Sequence, residues 1–244
     1  MDKVSEVLKP TRFSPSSINS FFSCPKQWEL HRKGIGGIPT NRDFLNLGTC
    51  IHESIANYFN IVGNKPTKIQ IKNLFTTVFE QEWEKYDLDN LRKRAERIRD
   101  NFIVFEQQRV ETWKTYLPTL IEKKLSNDTY VCIVDFYSEP ERTFIDWKSG
   151  NKKDLTNDDL RQGKINEILL EAHNYPVDRI LFVALYPNRT FEVPKVGDGF
   201  VENERKKMEE SIRTGYFPKS YNWCDGWCDV VLDCQLEEEN LWLL

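Results

Sequence analysis

The chain has 244 residues, 39% hydrophobic and 13% aromatic, enough to bury the core of one large domain with a helical elaboration. Charged residues make up 30%, and no apolar run approaches the ~20 residues that a helical membrane span needs. The formal net charge of -4 neither announces a nucleic-acid partner nor excludes one, because phosphates need only a local basic track. Part of the acidity sits in Glu237, Glu238 and Glu239, and the opening residues Met1 to Glu6 lack the apolar stretch of a signal peptide. The expected location is therefore intracellular and cytoplasmic, where thiols stay reduced.

The sequence holds no internal repeat and no low-complexity linker. Ser14 and Pro15 read as the cap and first residue of a helix that runs to about Arg32 with a break at Pro25. Gly34 to Gly37 ends it. Further helices are expected over about 44–62, 68–86 and 88–116, the last highly charged and stopped before Pro118. The pattern then changes. Strands are expected over about 117–123, 129–137 and 142–148, with Glu139, Pro140 and Glu141 as the turn between the last two. A helix over about 157–173, capped by Thr156, leads to a continuous apolar run over 179–186, the signature of a strand covered on both faces. A helix over about 201–214 follows. The expected class is α/β (α+β): a helical stretch over about 14–116, then an α/β core over about 117–214 with a central mixed sheet flanked by helices, all in one domain.

The hairpin carries the chemistry. Asp135 follows Val134, and Asp146 follows Ile145 in the run Asp146, Trp147, Lys148. Alternation places Asp146 and Lys148 on one face. Two carboxylates in a partly buried site repel each other, and a divalent cation removes that cost. Such an ion is what phosphodiester hydrolysis uses to polarise a phosphoryl oxygen and to make hydroxide near neutral pH. Lys148 suits holding the attacking water or meeting developing negative charge. Taken alone, Asp-x-Lys is also what an ordinary charged hairpin face presents.

Six cysteines occur. Cys224, Cys228 and Cys234 cluster late, flanked by Trp223 and Trp227, and Cys24 stands near the other end. In a reduced compartment this grouping argues for metal, and four thiolates hold either Zn2+ or an iron–sulfur cluster; spacing alone does not choose. Cys50 and Cys132 lie in apolar settings and read as packed thiols. Arg94 and Arg97 share a helix face and read either as a track for single-stranded DNA or as a solvated face paired with Glu96 and Asp100. Lys152 and Lys153, just past the hairpin, are placed for phosphate contact.

These motifs, in this order, resemble the PD-(D/E)XK nuclease superfamily, in particular its RecB-like branch and the CRISPR-associated iron–sulfur exonucleases. The segment from Ser14 to Trp28 is similar to that branch's opening. Gly48 and His52 match its Gly-x-x-x-His element, Asp135 and Asp146 to Gly150 its catalytic hairpin, Gln162 its Gln position, and Cys224, Cys228 and Cys234 its late cysteine group. The chain departs from the pattern at Cys132, where a Gly is common, and at Asn166, where a Tyr often follows the Gln. The resemblance implies a restriction-endonuclease-like fold and Mg2+ or Mn2+ held by His52, Asp135 and Asp146, with Lys148 and Gln162 as further catalytic residues. Glu122 enters through water on this reading. It also implies a 4Fe–4S cluster on Cys24, Cys224, Cys228 and Cys234 that staples the N- and C-terminal segments. The activity implied is exonuclease action on single-stranded DNA ends, in CRISPR spacer acquisition alongside the integrase, or with other recombination proteins. The alternative is a catalytically weak or inactive DNA-binding adaptor that keeps the fold, which Asn166 and Cys132 motivate.

Overall fold

The computed structural model describes residues 12–36, 42–220, 224 and 228–235. Met1 to Glu6, Gly37, Trp223, Trp227 and Glu237 to Glu239 lie outside the described residues. Two compact units form: Met1–Arg42 with Ser126–Val131 and Val196–Leu244, and Asp43–Leu125 with Cys132–Lys195.

In the first unit, helices α1 (Pro15–Ser23) and α2 (Pro25–Arg32) are split at Cys24. Ser14 accepts the Ser17 N–H at 3.1 Å and Pro15 takes the first turn, so the cap and the proline start α1 as the sequence predicts. Pro25 cannot continue α1 and instead opens α2. Trp28 of α2 stacks on Phe217, with ring centroids 6.0 Å apart. Asp229 binds Gln27 Nε2 and His31 Nε2, each at 2.9 Å, and so joins the N- and C-terminal segments.

The second unit carries most of α3 (Arg42–Ile61), then α4 (Lys68–Trp83), a 3-10 turn (Asp89–Leu91) and α5 (Arg92–Thr112). The strands are β1 (Leu120–Ser126), β2 (Val131–Ser138), β3 (Thr143–Lys148), β4 (Arg179–Ala184) and β5 (Arg189–Glu192), with α6 (Asn157–Ala172) between β3 and β4. They form one five-stranded sheet in the order β1-β2-β3-β4-β5. β2 and β3 pair antiparallel, β3 and β4 parallel, β4 and β5 antiparallel, so the sheet is mixed as expected. A further helix, α7 (Gly199–Thr214), belongs to the first unit and ends at Gly215, whose φ of 71° makes the left-handed stop.

Ile55, Tyr58, Phe75 and Phe102 from the helices pack with Phe136, Ile145, Trp147 and Val183 from the sheet. On β3 this leaves Phe144, Asp146 and Lys148 on the opposite face. There α6 lies close to the sheet at Gly163: a Cβ at that position would sit 3.1 Å from Val193 Cγ1 and 3.5 Å from Ile180 Cγ2. Two elements differ from the expectation. The long charged helix spans only Arg92–Thr112, because a 3-10 turn precedes it and an extended stretch leads to Pro118. β5 is not expected from sequence; its four residues, Arg189 to Glu192, are mostly exposed at the sheet edge and carry no apolar period. Among the described residues no helix is long and apolar enough to cross a membrane.

Candidate metal centre

The β2–β3 register pairs Phe136 with Ile145, and one step further it sets Asp135 across from Asp146. Both carboxylates are buried, at 7% and 2% exposure. The Trp147 N–H donates to Asp135 Oδ2 at 3.0 Å. Burial, followed by the charge of Asp146, still holds the Asp135 carboxyl well above the usual carboxylate range.

Asp146 is engaged on both oxygens. Lys148 Nζ lies 2.7 Å from its Oδ2, and Gln162 Nε2 donates to its Oδ1. Lys148 Nζ also donates to Gln162 Oε1 at 2.7 Å, closing a ring of three side chains. Burial works against the Lys148 charge, but Asp146 outweighs it and raises the ammonium pKa. The close approach of α6 at Gly163 brings the neighbouring Gln162 to this ring.

His52 stands beside the buried stripe of α3 that includes Ile51 and Ile55. Its Nδ1 is 2.9 Å from Glu122 Oε1 and 3.6 Å from Asp135 Oδ2, and its Nε2 is 3.1 Å from the Trp147 carbonyl. Both ring nitrogens therefore face acceptors, which favours the imidazolium. Burial opposes that charge, but Asp135 and Glu122 prevail and push the His52 pKa up to about 9. Glu122 sits inside β1 with φ 43°, a left-handed conformation that costs a non-glycine residue ~1–3 kcal/mol and gathers at functional sites.

His52, Glu122 and Asp135 offer ligand atoms that all lie within 4.8 Å of one another. One imidazole nitrogen and two carboxylates suit Mn2+ or Mg2+, and a cation there would relieve the repulsion that raises Asp135. The residues fit the ion. Of the set expected from sequence, His52 and Asp135 fall in this group, Glu122 joins it directly, and Asp146 faces Lys148 and Gln162 instead.

The basic residues divide. Arg94 lies 3.9 Å from the Tyr186 ring centroid and 5.2 Å from that of Phe44, and donates to the Ser149 carbonyl at 3.2 Å. Arg97 is exposed, 5.2 Å from the same Tyr186 ring. Glu96 and Asp100 pair with Arg92 and Arg99, each at 2.9 Å. Lys152 is tied to Asp159 at 2.5 Å, while Lys153 is exposed. Sequence reasoning did not single out Tyr186 or Phe44; only aromatic content marked them.

No disulfide joins any of the six cysteines, all of which lie among the described residues. Cys24 caps α2, its Sγ accepting the Gln27 N–H at 3.5 Å. Burial raises the Cys228 thiol pKa, and proximity to Cys224 and Cys24 adds to the rise. Among the described residues no cysteine joins a metal-ligand group, so the thiols do not display the arrangement of a 4Fe–4S site. Cys50 is pushed up to about 11 and Cys132 to about 12, both first by burial, as packed unreactive thiols are.

A profile of the PD-(D/E)XK nuclease superfamily matches residues 12–170, about two-thirds of the chain. The chain belongs to the PD-(D/E)XK nuclease superfamily. The matched stretch of this PD-(D/E)XK protein contains His52, Glu122, Asp135, Asp146, Lys148 and Gln162, and ends before the late cysteines. Its functional class is accordingly metal-dependent nuclease, a phosphodiester hydrolase that binds nucleic acid. No curated protein matches the chain.

Proposed function

We propose that this PD-(D/E)XK protein is a metal-dependent DNA exonuclease that works from single-stranded ends. The observation that carries the reading is the ligand group His52, Glu122 and Asp135 next to the ring of Asp146, Lys148 and Gln162. The RecB-like order of motifs supports the exonuclease and single-strand parts. His52, Glu122 and Asp135 would hold the ion, with Asp146 the neighbouring carboxylate of the same hairpin. When bound, the ion supplies Lewis-acid polarisation of a phosphoryl oxygen and a water of lowered pKa.

The other steps belong to side chains. Lys148, partly exposed and fixed by two oxygen partners, carries a full positive charge to meet the negative charge that develops on phosphate. Asp146 and Gln162 hold that ammonium in place. The Trp147 N–H orients Asp135, and the Trp147 carbonyl orients His52. Both contacts come from the strand that carries Asp146 and Lys148, so one rigid element orients two of the three ligand residues.

The same reading extends to a 4Fe–4S cluster on Cys24, Cys224, Cys228 and Cys234 and to spacer acquisition with a CRISPR integrase, or to another recombination role. The resemblance in motif order alone supports these parts. Anaerobic purification with iron and sulfide analysis tests the cluster, and a colourless, iron-free protein refutes it.

The nuclease reading is tested on end-labelled linear and circular single strands with Mg2+ or Mn2+. Linear strands are degraded and circles spared. Asp146→Ala and Lys148→Ala each lose about 10²–10⁴-fold in rate, the range for a positioned catalytic group. Full activity in either variant sinks the mechanism, and cut circles sink the exonuclease assignment. A second reading, a DNA-binding adaptor, draws on the full engagement of both Asp146 oxygens. It predicts tight DNA binding with no metal-stimulated cleavage.

A further inference from the structure

Three large apolar side chains stand exposed beside the metal group: Phe44 at 48%, Leu45 at 58% and Ile133 at 55%. All three line one cleft of about 1050 Å³, whose wall also holds His52 and Glu122. Phe44 and Leu45 lie in the first turn of α3, about 12 Å along the helix before His52. Ile133 shares a strand face with Asp135, two residues on. Exposed apolar groups gathered at the edge of a polar site mark a binding surface.

The charges of the cleft select which part of a nucleic acid enters it. Glu53, Glu82 and Glu122 line the cleft. The Lys85 ammonium is held by Glu82 at 2.5 Å, and the Tyr86 hydroxyl donates to Glu53 at 2.9 Å. A phosphate backbone laid along this wall meets like charge; the neutral face of a base does not. The Phe44 ring is also braced. The Arg94 guanidinium sits against it, stacked in turn on Tyr186 and hydrogen-bonded to the Ser149 carbonyl. Arg94 is thus a strut between the hairpin's end and the aromatic ring.

Resting on the nuclease reading above, we infer that Phe44, flanked by Leu45 and Ile133, is the seat on which an unpaired nucleobase stacks next to the scissile phosphate. A base inside a duplex has both faces covered by its neighbours and cannot turn one to Phe44. The seat therefore selects unpaired ends, without reading sequence, because every base has a π-face. Arg94 is a positioning residue that acts through Phe44.

The test uses a single-stranded oligonucleotide carrying 2-aminopurine at its end, bound to the Lys148→Ala protein so that the strand stays whole. Binding quenches the fluorescence by stacking, and adding Phe44→Ala removes the quench. With Lys148 intact, Phe44→Ala raises KM for the single strand about tenfold, the scale of one base–aromatic stack, and the loss appears in KM rather than kcat. An abasic nucleotide at the same position raises the wild-type KM equally, and the two losses do not multiply. Phe44→Trp restores both readouts. Phe44 is half exposed, so the variants keep the core. An unchanged quench in Phe44→Ala, or losses that multiply, overturns the inference. A wild-type protein that cuts no DNA overturns the nuclease reading instead, and the quench still reports on the seat.

Discussion

Replacing Glu122 by Gln keeps the side chain's shape and removes its charge. Two opposed effects follow. In the metal-free protein Glu122 Oε1 lies 2.9 Å from His52 Nδ1 and helps hold the ring protonated up to about 9. A charge-assisted hydrogen bond of this kind contributes ~1.5–3 kcal/mol, so Glu122→Gln lowers the His52 pKa by about one to two units. That change alone eases metal entry at neutral pH, because a divalent ion must expel the ring proton. The lost carboxylate ligand weakens binding, by about ten- to a hundredfold for the same ~1.5–3 kcal/mol.

Titrating Mn2+ calorimetrically at two pH values separates these effects. Wild-type affinity rises as pH climbs from ~7 through the His52 pKa of about 9, by close to tenfold per unit for each proton that His52 and the raised Asp135 carboxyl release. In Glu122→Gln that rise levels off at lower pH. By about pH 9.5 most of the ring is neutral, and most of the variant's deficit shows. The sign for stability is the opposite. A raised histidine pKa stabilises the metal-free fold below the ordinary value of 6.5, and this contribution is lost as pH rises through about 9. Equal Mn2+ affinity of the two proteins above about pH 9.5 would refute Glu122 as a ligand and return that place to Asp146.

Gly163→Ala forces Val193 or α6 to give by a few tenths of an ångström; a stability loss of ~1–3 kcal/mol is expected from such overpacking, read as a lower urea midpoint. Slower cleavage should accompany it, because Gln162 precedes the glycine. Arg109→Ala strands Glu106, which is fully buried and bound to that guanidinium at 2.7 Å, and should cost ~3–5 kcal/mol in the same assay. Unaltered unfolding midpoints would show that the packing at Gly163 relaxes freely, or that Glu106 finds another partner.

The catalytic hairpin was legible because its signals are local. Alternation over Phe144 to Lys148 fixed which side chains share a face, and the apolar run after Arg179 marked a central strand. β5 carried no such signal, being short, exposed and defined only by its pairing to β4. The charged face of α5 was ambiguous for a related reason. Arg92 and Arg94 are near neighbours in sequence, yet one is paired with Glu80 and the other stacked on Tyr186, across distances that no helical period encodes.

The sequence by itself determined the mixed α/β fold, the facing carboxylates Asp135 and Asp146, and the candidate lysine beside them. Tertiary structure alone decided the ligand group. Glu122 reaches His52 across a sequence separation of 70, from a strand residue whose left-handed backbone no local propensity predicts. Lys148 pairs with Asp146 and Gln162 donates a hydrogen bond to it, and that donation depends on how closely α6 approaches the sheet at Gly163. Periodicity specifies faces; only packing brings the faces of separate elements within bonding distance.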